Sequence, residues 1–183
     1  QNQIYNYDRK ILNFISDVSK KNNFICKILP RKTGLKAISE EKFFKSLLKR
    51  KYISWEFIKR NPNIKHPFTY IDKADLIIFM DSTLGYEAIA RKKKCLAFGL
   101  RGNSVKSENY YFGWPLKLKK EGLFWSNNSN KMNIKNFEFI VNKIKRSKYK
   151  QIKLCYKKYL NDIILYDRNN SKFQKEIKKI KII

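Results

Sequence analysis

DLIIFMDSTLGYEA, residues 75–88, joins a continuous apolar run to a helical pattern. The apolar run at 75–80 has the length of a strand and no polar alternation, which predicts a strand buried on both faces of a parallel sheet. The segment from Thr83 to Lys92 is predicted to form the helix that follows, and the apolar run at 94–100 the next buried strand. Strand, helix and strand in this order form the repeating unit of parallel α/β sheets.

The same alternation extends toward both ends of the chain. Upstream, the pattern predicts helices at 7–20 and 39–51 (the second capped by Ser39), strands at 24–29 and 52–58, and a short helix from Pro67 to Asp72. Downstream, it predicts a long loop at 103–130 and two basic helices at 136–146 and 148–165. The sequence therefore predicts an α/β fold with a Rossmann-like parallel sheet, helices on both of its faces, and two basic C-terminal helices that close it. Residues 1–183 are expected to form a single domain, whose first predicted helix has no strand before it.

The composition is that of a globular, strongly basic protein. Hydrophobic residues make up 43% of the chain, while the formal net charge is +27. Such a charge permits nucleic acid, an anionic membrane surface or a phosphorylated substrate as a partner. Lysines occur in every segment, which favours a compositional bias and a general attraction to membranes over one dedicated patch. No apolar run is long enough to span a bilayer and no apolar signal region is visible, so we expect a cytoplasmic protein, with peripheral attachment to the inner membrane face as an option.

Cysteine and histidine are too few and too scattered to predict a metal site. Cys26, Cys95 and Cys155 lie far apart, and the first two fall in apolar runs, which is typical of reduced, buried thiols. His66 is the single histidine. We therefore predict neither a metal nor a cofactor.

The polar residues after the run at 75–80 are candidates for binding a phosphate group. In an open parallel sheet, ligands bind where the carboxyl ends of strands meet helix N-termini, which carry free N–H groups and a partial positive charge. Ser82 and Thr83 could add hydroxyl donors, and Gly85 could let a ligand approach the backbone. The alternative is a simple helix cap, but a capping box needs Glu or Gln three residues after the cap, where Gly85 and Tyr86 stand. No dinucleotide-binding or P-loop glycine pattern is present.

A longer segment carries a family resemblance. DKADLIIFMDSTLGYEAIARKKKCLAFGLRG, residues 72–102, resembles the donor-binding segment of GT-B glycosyltransferases, in particular bacterial transferases of O-antigen, lipopolysaccharide and capsule synthesis. YFGWP (111–115), EGLFW (121–125) and LYDRNN (165–170) are similar to the C-terminal region of the same group. Sugar-nucleotide 2-epimerases share this architecture and are an alternative.

The resemblance implies that residues 1–183 are the C-terminal, donor-binding domain of a GT-B fold and that the N-terminal acceptor domain is absent from this chain. It assigns Ser82, Thr83 and Gly85 to the donor phosphates and Glu87 to the donor ribose. Arg31 and Arg101 would be cationic partners of the diphosphate; the alternative for each is a solvated loop arginine. The implied partners are a nucleotide-sugar donor and a lipid-linked or saccharide acceptor, with no metal in the donor site. No catalytic residue is assigned, and we expect this half alone to be inactive.

Three further residues have two interpretations each. His66 lies in a proline-flanked loop and is more typical of a surface residue than of a catalytic base. Trp114 and Trp125 could border a sugar, since flat apolar rings stack on pyranose faces, or could pack in the core.

The second function that the sequence permits is nucleic-acid binding. KRSKYKQIKLCYKKY, residues 145–159, interleaves tyrosines with lysines, as single-strand binding surfaces do. At helical spacing, however, Ile152, Tyr156 and Tyr159 form one apolar face, which favours packing against a core. We therefore predict a nucleotide-sugar donor as the partner and keep nucleic-acid binding as the alternative.

Overall fold

The strands in the described part of this protein form two parallel sheets, covered by helices. The structure is a computed structural model that describes residues 2–61, 63, 67–160 and 174–175. The helices are α1 (Asn2–Asn22), α2 (Leu35–Leu48), α3 (Phe68–Lys73), α4 (Thr83–Ala90), α5 (Arg101–Val105), α6 (Ile134–Arg146) and α7 (Tyr149–Leu160). The strands are β1 (Cys26–Ile28), β2 (Trp55–Phe57), β3 (Ile77–Phe79), β4 (Cys95–Phe98) and β5 (Trp125–Ser126). Short 3-10 helices occupy Lys49–Ser54 and Glu108–Tyr110.

The sheet pairing confirms the predicted α/β class. One sheet pairs β1 with β2, and the other has the order β3-β4-β5; all three strand pairs are parallel. The predicted helices at 136–146 and 148–165 correspond to α6 and α7, and residues 161–165 lie outside the described part of the chain.

The burial of the two apolar strands differs from the prediction in one case. All four residues of β4 are fully buried, because β4 is the central strand of its sheet. In β3 only Phe79 is buried, whereas Ile77 and Ile78 are half-buried. The prediction that 75–80 is buried on both faces was therefore wrong, since β3 lies at the edge of its sheet.

Among the described residues, two hydrophobic clusters form the interior, and α1 contributes to both. The larger cluster contains β4, Phe124, Trp125 and the buried faces of α6 and α7. The smaller one consists of Leu12, Ile28, Leu47 and Leu48. Ile11 belongs to the larger cluster while its neighbour Leu12 belongs to the smaller one, so α1 joins the two.

The cysteines are free, and the two in strands are buried as predicted. Cys26 and Cys95 lie in the core and Cys155 is half-buried. Burial raises the pKa of the Cys95 thiol to about 12, which keeps it protonated at neutral pH.

Other boundaries differ for local reasons. The prediction of Ser39 as an N-cap was wrong: α2 begins at Leu35, after Gly34 with φ 57°, and the Ser39 hydroxyl donates to the carbonyl oxygen of Lys36 at 2.9 Å. The predicted strand at 52–58 is strand only at Trp55–Phe57. The predicted loop at 103–130 contains most of α5 and all of β5. Gly102, Asn103 and Ser104 favour helices weakly, which explains why the pattern did not reveal α5.

Candidate functional site

The N-terminus of α4 lies directly after β3 and presents an uncapped helix end. Ser82 occupies the N-cap position with extended backbone, but its side chain makes no capping hydrogen bond. Ser82, Thr83 and Glu87 are exposed, so two hydroxyls and one carboxylate face solvent in the first turns. The Gly85 amide already donates to the Ser82 carbonyl oxygen at 3.0 Å, so the amides that lack a partner within the helix are those of Thr83 and Leu84. The helix dipole adds a partial positive charge there. This end of α4 therefore offers hydrogen-bond donors to an anion.

Gly85 is held in place by the packing of the sheet. It is buried, and a Cβ built at this position would lie 2.2 Å from two ring carbons of Phe79, the last residue of β3. Any side chain here would collide with that ring. The structure thus gives a packing reason for the glycine, and its predicted part in ligand approach stays a prediction.

Arg101 lies between two carboxylates at the carboxyl ends of β3 and β4. Its Nε and Nη2 donate to the two oxygens of Asp8 at 2.8 and 2.5 Å. Its Nη1 donates to both oxygens of Asp81, at 2.7 and 3.0 Å. We call Asp8, Arg101 and Asp81 the aspartate–arginine triad. It connects α1 to the segment that leads into α4.

The triad carries one negative charge in excess and is partly withdrawn from water. Only 2% of the Asp8 side chain is exposed, against 25% for Arg101. Burial disfavours the charged guanidinium, but the hydrogen bonds and charge of Asp8, together with Asp81, outweigh it and raise the pKa of Arg101. Because this guanidinium is already bonded to two carboxylates, a phosphate that approaches it competes with them for its charge and its hydrogen bonds.

Tyr86 forms the inner wall of the site on the side of residues 112–113. Its hydroxyl accepts the backbone N–H of Gly113 at 2.8 Å, and its ring stacks on Phe112 with centroids 5.3 Å apart. Burial raises the pKa of Tyr86. This contact fixes the YFGWP segment against α4.

The structure places Arg31 in the loop after β1, in the other sheet. Its backbone N–H and that of Lys32 each donate to the Glu40 carboxylate at 3.0 Å, and its carbonyl oxygen accepts from Arg60 at 2.9 Å. The Arg31 residue is exposed. Within the described chain, its guanidinium makes no hydrogen bond or ion pair with residues 81–87. Its predicted contact with a phosphate therefore remains a prediction.

The two tryptophans divide between core and surface. Trp125 is 1% exposed and its indole N–H donates to the Lys119 carbonyl at 2.9 Å, so it packs in the core. Trp114 is half exposed. His66 lies outside the described residues.

The described residues contain neither a metal-binding cluster nor a helix that could span a membrane. Histidine, cysteine, aspartate and glutamate form no cluster of three or more that could hold a metal ion within that part of the chain. No helix described there has the length and hydropathy needed to cross a membrane.

Sequence reasoning did not identify Asp8 or Asp81 as members of the site. A signal for Asp8 was present, because it precedes Ile11 and Leu12 by three and four positions and so lies on the apolar face of α1. A carboxylate on such a face needs a cationic partner. Its partner Arg101 lies 93 residues further along the chain, a distance that no local pattern bridges.

The fold and the site define an α/β protein with parallel sheets and exposed polar residues at the carboxyl ends of its strands. The model of a family described as "putative O-antigen biosynthesis protein" matches residues 1–181. The chain belongs to this family, whose description associates it with O-antigen biosynthesis. Comparison with curated proteins gave no match. Comparison with solved structures gave none either.

Proposed function

We propose that this chain binds the nucleotide-sugar donor of a glycosyltransferase that works in the synthesis of O-antigen, lipopolysaccharide or capsule. The observation that carries the proposal is the uncapped N-terminus of α4, with Ser82, Thr83 and Glu87 exposed around it at the carboxyl end of β3. Family membership and the resemblance of residues 72–102 to GT-B donor-binding segments support the same reading.

The donor diphosphate binds at the N-terminus of α4. Backbone N–H groups and the hydroxyls of Ser82 and Thr83 donate hydrogen bonds to it, and the helix dipole stabilises the negative charge that the leaving phosphate gains during transfer. Glu87, one turn further along the exposed side of α4, accepts hydrogen bonds from the ribose hydroxyls. Arg101 and Arg31 are the cationic groups of the proposal, and Arg101 reaches the phosphate in exchange for Asp81.

A second half-enzyme would bind the acceptor and supply the catalytic base. A GT-B active site lies between two domains, and the acceptor, a lipid-linked or saccharide substrate, is bound by the other one. Binding of the donor is therefore the activity that this chain can be tested for by itself. The net charge of +27 favours an anionic membrane surface, where lipid-linked acceptors reside, as the place of action.

Nucleic-acid binding is less well supported than donor binding. Of the tyrosines interleaved with lysines in α7, Tyr156 is 6% exposed, and Tyr149 and Tyr159 are half-buried. Buried rings cannot serve as a stacking platform for bases.

The experiment is a nucleotide panel of CMP, UMP, UDP, GDP and ADP, measured by thermal shift and calorimetry. One nucleotide is expected to raise the melting temperature, because a ligand at a hundred times its Kd stabilises the folded state by about 2.7 kcal/mol. Glu87→Ala is expected to weaken that binding roughly 10- to 100-fold, the value of about 1.5–3 kcal/mol for a hydrogen bond to a charged group.

The matched control is Glu56→Ala, which removes an exposed carboxylate from β2 in the other sheet. It should leave nucleotide affinity unchanged. Equal loss in both variants would assign the effect of Glu87 to net charge. Failure of every nucleotide to bind, together with salt-sensitive binding to DNA or RNA, would overturn the proposal.

A further inference from the structure

Two isoleucines at the start of the strand pair β1–β2 lie almost fully in solvent. Ile25 directly precedes β1 and is 81% exposed, and Ile53 comes two positions before β2 and is 90% exposed. Because Cys26 pairs with Trp55, both isoleucines lie at the amino ends of neighbouring strands. Single exposed apolar residues are common on protein surfaces, but these two occur together.

The segments around this strand pair are strongly basic. Residues 49–54 lead into β2, residues 91–94 lead into β4, and residues 145–150 contain the turn between α6 and α7. They contain three, four and four lysines or arginines, in that order, and no aspartate or glutamate. Lys51 is paired with Asp17, whereas Lys49 and Arg50 have no carboxylate partner within the described residues.

Side-chain contacts bring the three segments to one edge of the molecule. The Nζ of Lys145 lies 4.2 Å from the ring centroid of Phe24, the residue before Ile25. The Nζ of Lys94 donates to the carbonyl oxygen of the same Lys145 at 2.8 Å. The amino ends of β1, β2 and β4 are therefore at the same edge. We call its exposed members the basic amino edge: Ile25, Ile53, Lys49, Arg50, Arg146 and Lys148.

The carboxyl edge of the sheets has carboxylates among its cations. Arg101 is bonded to Asp8 and Asp81 there, and Glu40 holds the loop that contains Arg31. Lysines occur in every segment of the sequence, but the fold gathers three basic segments without acidic residues at the amino edge. Sequence order could not show this, because the three segments are far apart along the chain.

Cations around exposed aliphatic side chains fit an anionic lipid bilayer. Negative headgroups attract lysine and arginine, and aliphatic side chains enter the boundary between headgroups and acyl chains. Nucleic acid fits less well, because isoleucine has no ring on which a base could stack. A second copy of the chain would bring two positive edges together, and their repulsion opposes this.

We propose that the basic amino edge is the face by which this protein lies on an anionic phospholipid membrane, with Ile25 and Ile53 inserted among the headgroups. The carboxyl edge, with the N-terminus of α4, then faces away from the bilayer and stays open to soluble ligands. Net charge alone specifies neither this face nor this orientation. The inference does not depend on donor binding at α4.

The test measures co-sedimentation of the full chain with lipid vesicles. Vesicles of equal parts phosphatidylglycerol and phosphatidylcholine are compared with pure phosphatidylcholine at about 0.1 M salt, where exposed charges act over about 10 Å. The anionic vesicles are expected to bind the protein, and the neutral vesicles to bind it at least about tenfold more weakly.

The first pair of variants tests the apolar contribution. Ile25→Ser/Ile53→Ser is expected to weaken binding to anionic vesicles roughly tenfold or more, because two aliphatic side chains no longer leave water. The matched control is Leu35→Ser/Ile38→Ser, which changes two exposed aliphatic residues in the first turn of α2, at the carboxyl edge. It should bind like the unchanged protein. Melting temperatures verify that both variants are folded.

The second pair tests the position of the charge. Arg50→Gln/Arg146→Gln is expected to weaken vesicle binding roughly 10- to 30-fold. Lys32→Gln/Lys36→Gln removes the same charge from exposed residues at the carboxyl edge, and should weaken binding less than about twofold because that edge lies beyond the screening length.

Four results would overturn the inference. Absence of binding to anionic vesicles is the first. Equal losses in the two charge variants would show attraction by net charge without a dedicated face. Unchanged binding of Ile25→Ser/Ile53→Ser would show that neither isoleucine enters the bilayer. Tighter binding to a single-stranded oligonucleotide than to the vesicles, or a dimer that these isoleucine substitutions abolish, would assign the edge to nucleic acid or to a second copy.

Discussion

Gly85 was predicted from the sequence to let a ligand approach the backbone, and the structure shows that it is also needed for packing. A glycine in the first turn of a helix is unfavourable in isolation, by about 1 kcal/mol relative to alanine. Its position beside exposed hydroxyls suggested close approach of a phosphate. In the structure the Phe79 ring occupies the space that a Cβ at position 85 would need. The residue is therefore required by the contact of α4 with β3, whatever binds in front of it.

The sign of the change in the free energy of unfolding of Gly85→Ala distinguishes helix propensity from the packing contact. Helix propensity alone would stabilise the variant, whereas the contact of 2.2 Å with the Phe79 ring requires a shift of the ring or of α4. We expect a loss of about 1–3 kcal/mol in the free energy of unfolding, as for other overpacked sites. Urea denaturation measures it. In a Phe79→Leu background the cost of the alanine should shrink, and a stabilised single variant would contradict the packing argument.

The aspartate–arginine triad makes Asp8 the most costly carboxylate of α1 to remove. Asp8→Ala leaves Arg101 with one partner in a site only partly open to water. The expected cost is about 2–4 kcal/mol, toward the low end for a broken buried ion pair because 25% of the Arg101 side chain is exposed. Chemical denaturation provides the measurement.

Asp17→Ala is the control for Asp8→Ala on the same helix. Asp17 is paired with Lys51 at 2.6 Å but half exposed, so its removal should cost at most about 1 kcal/mol. Equal costs for the two variants would show that the triad adds nothing to stability beyond a surface ion pair.

At the level of residues, the sequence predicted exposed polar groups better than their internal partners. Ser82, Thr83 and Glu87 are exposed at a helix start, as a strand–helix junction after 75–80 requires. The partnership of Arg101 with two aspartates was not predictable, because it depends on how α1 lies across the sheet. Trp125 had two interpretations, and the interior position is the one that the structure has.

At the level of elements, the hydroxyl of Tyr156 connects α7 to β4 by hydrogen bonds. The hydroxyl of Tyr156 accepts the backbone N–H of Cys95 at 2.8 Å and donates toward the carbonyl oxygen of Lys93 at 3.2 Å. Its ring packs edge-on against Phe124, with centroids 4.6 Å apart. Burial of this hydroxyl is the main reason that the pKa of Tyr156 is raised.

Tyr156→Phe keeps the ring and removes the hydroxyl. The buried Cys95 N–H then loses its acceptor, and we expect a loss of about 1–3 kcal/mol in the free energy of unfolding. Thermal denaturation of the variant would show it. Tyr159→Phe is the control: its ring packs on Trp125, but its hydroxyl has no bond within the described chain, so a change under about 0.5 kcal/mol is expected. A loss in Tyr159→Phe as large as in Tyr156→Phe would contradict this account.

Element identity was predictable where an apolar pattern was long and uninterrupted. The runs at 75–80 and 94–100 contain strands, and the stripe at 7–20 lies within α1. Boundaries failed where a single glycine or a tertiary contact set them, as at Gly34 before α2. The edge position of β3 could not be read from its composition, since an apolar strand looks the same in the middle of a sheet and at its edge.

At the level of the whole molecule, the two hydrophobic clusters differ greatly in size. The smaller has four buried members and supports a two-stranded sheet. Buried apolar area is the main source of stability, and two strands alone are marginal. The β1–β2 unit should therefore open at a lower free energy than the sheet around β4.

Native-state hydrogen exchange tests this order of opening. The amides of β1 and β2 are expected to exchange through a local opening, and those of β4 only through global unfolding. Leu12→Ala should lower protection in β1 and β2 before it affects β4. Equal protection in both sheets, with equal response to Leu12→Ala, would show instead that the molecule unfolds as a single unit.

The position of α1 between the clusters also constrains how the molecule can deform. Ile11 and Leu12 are adjacent, yet each is seated in a different cluster. Successive residues of an α-helix are about 100° apart around its axis. A rotation of α1 by that angle would therefore remove both side chains from their clusters at once. A shift of either sheet along α1, or a rotation about it, would therefore displace one of these two side chains from its cluster. As long as both sheets are folded, α1 therefore couples the position of one sheet to that of the other.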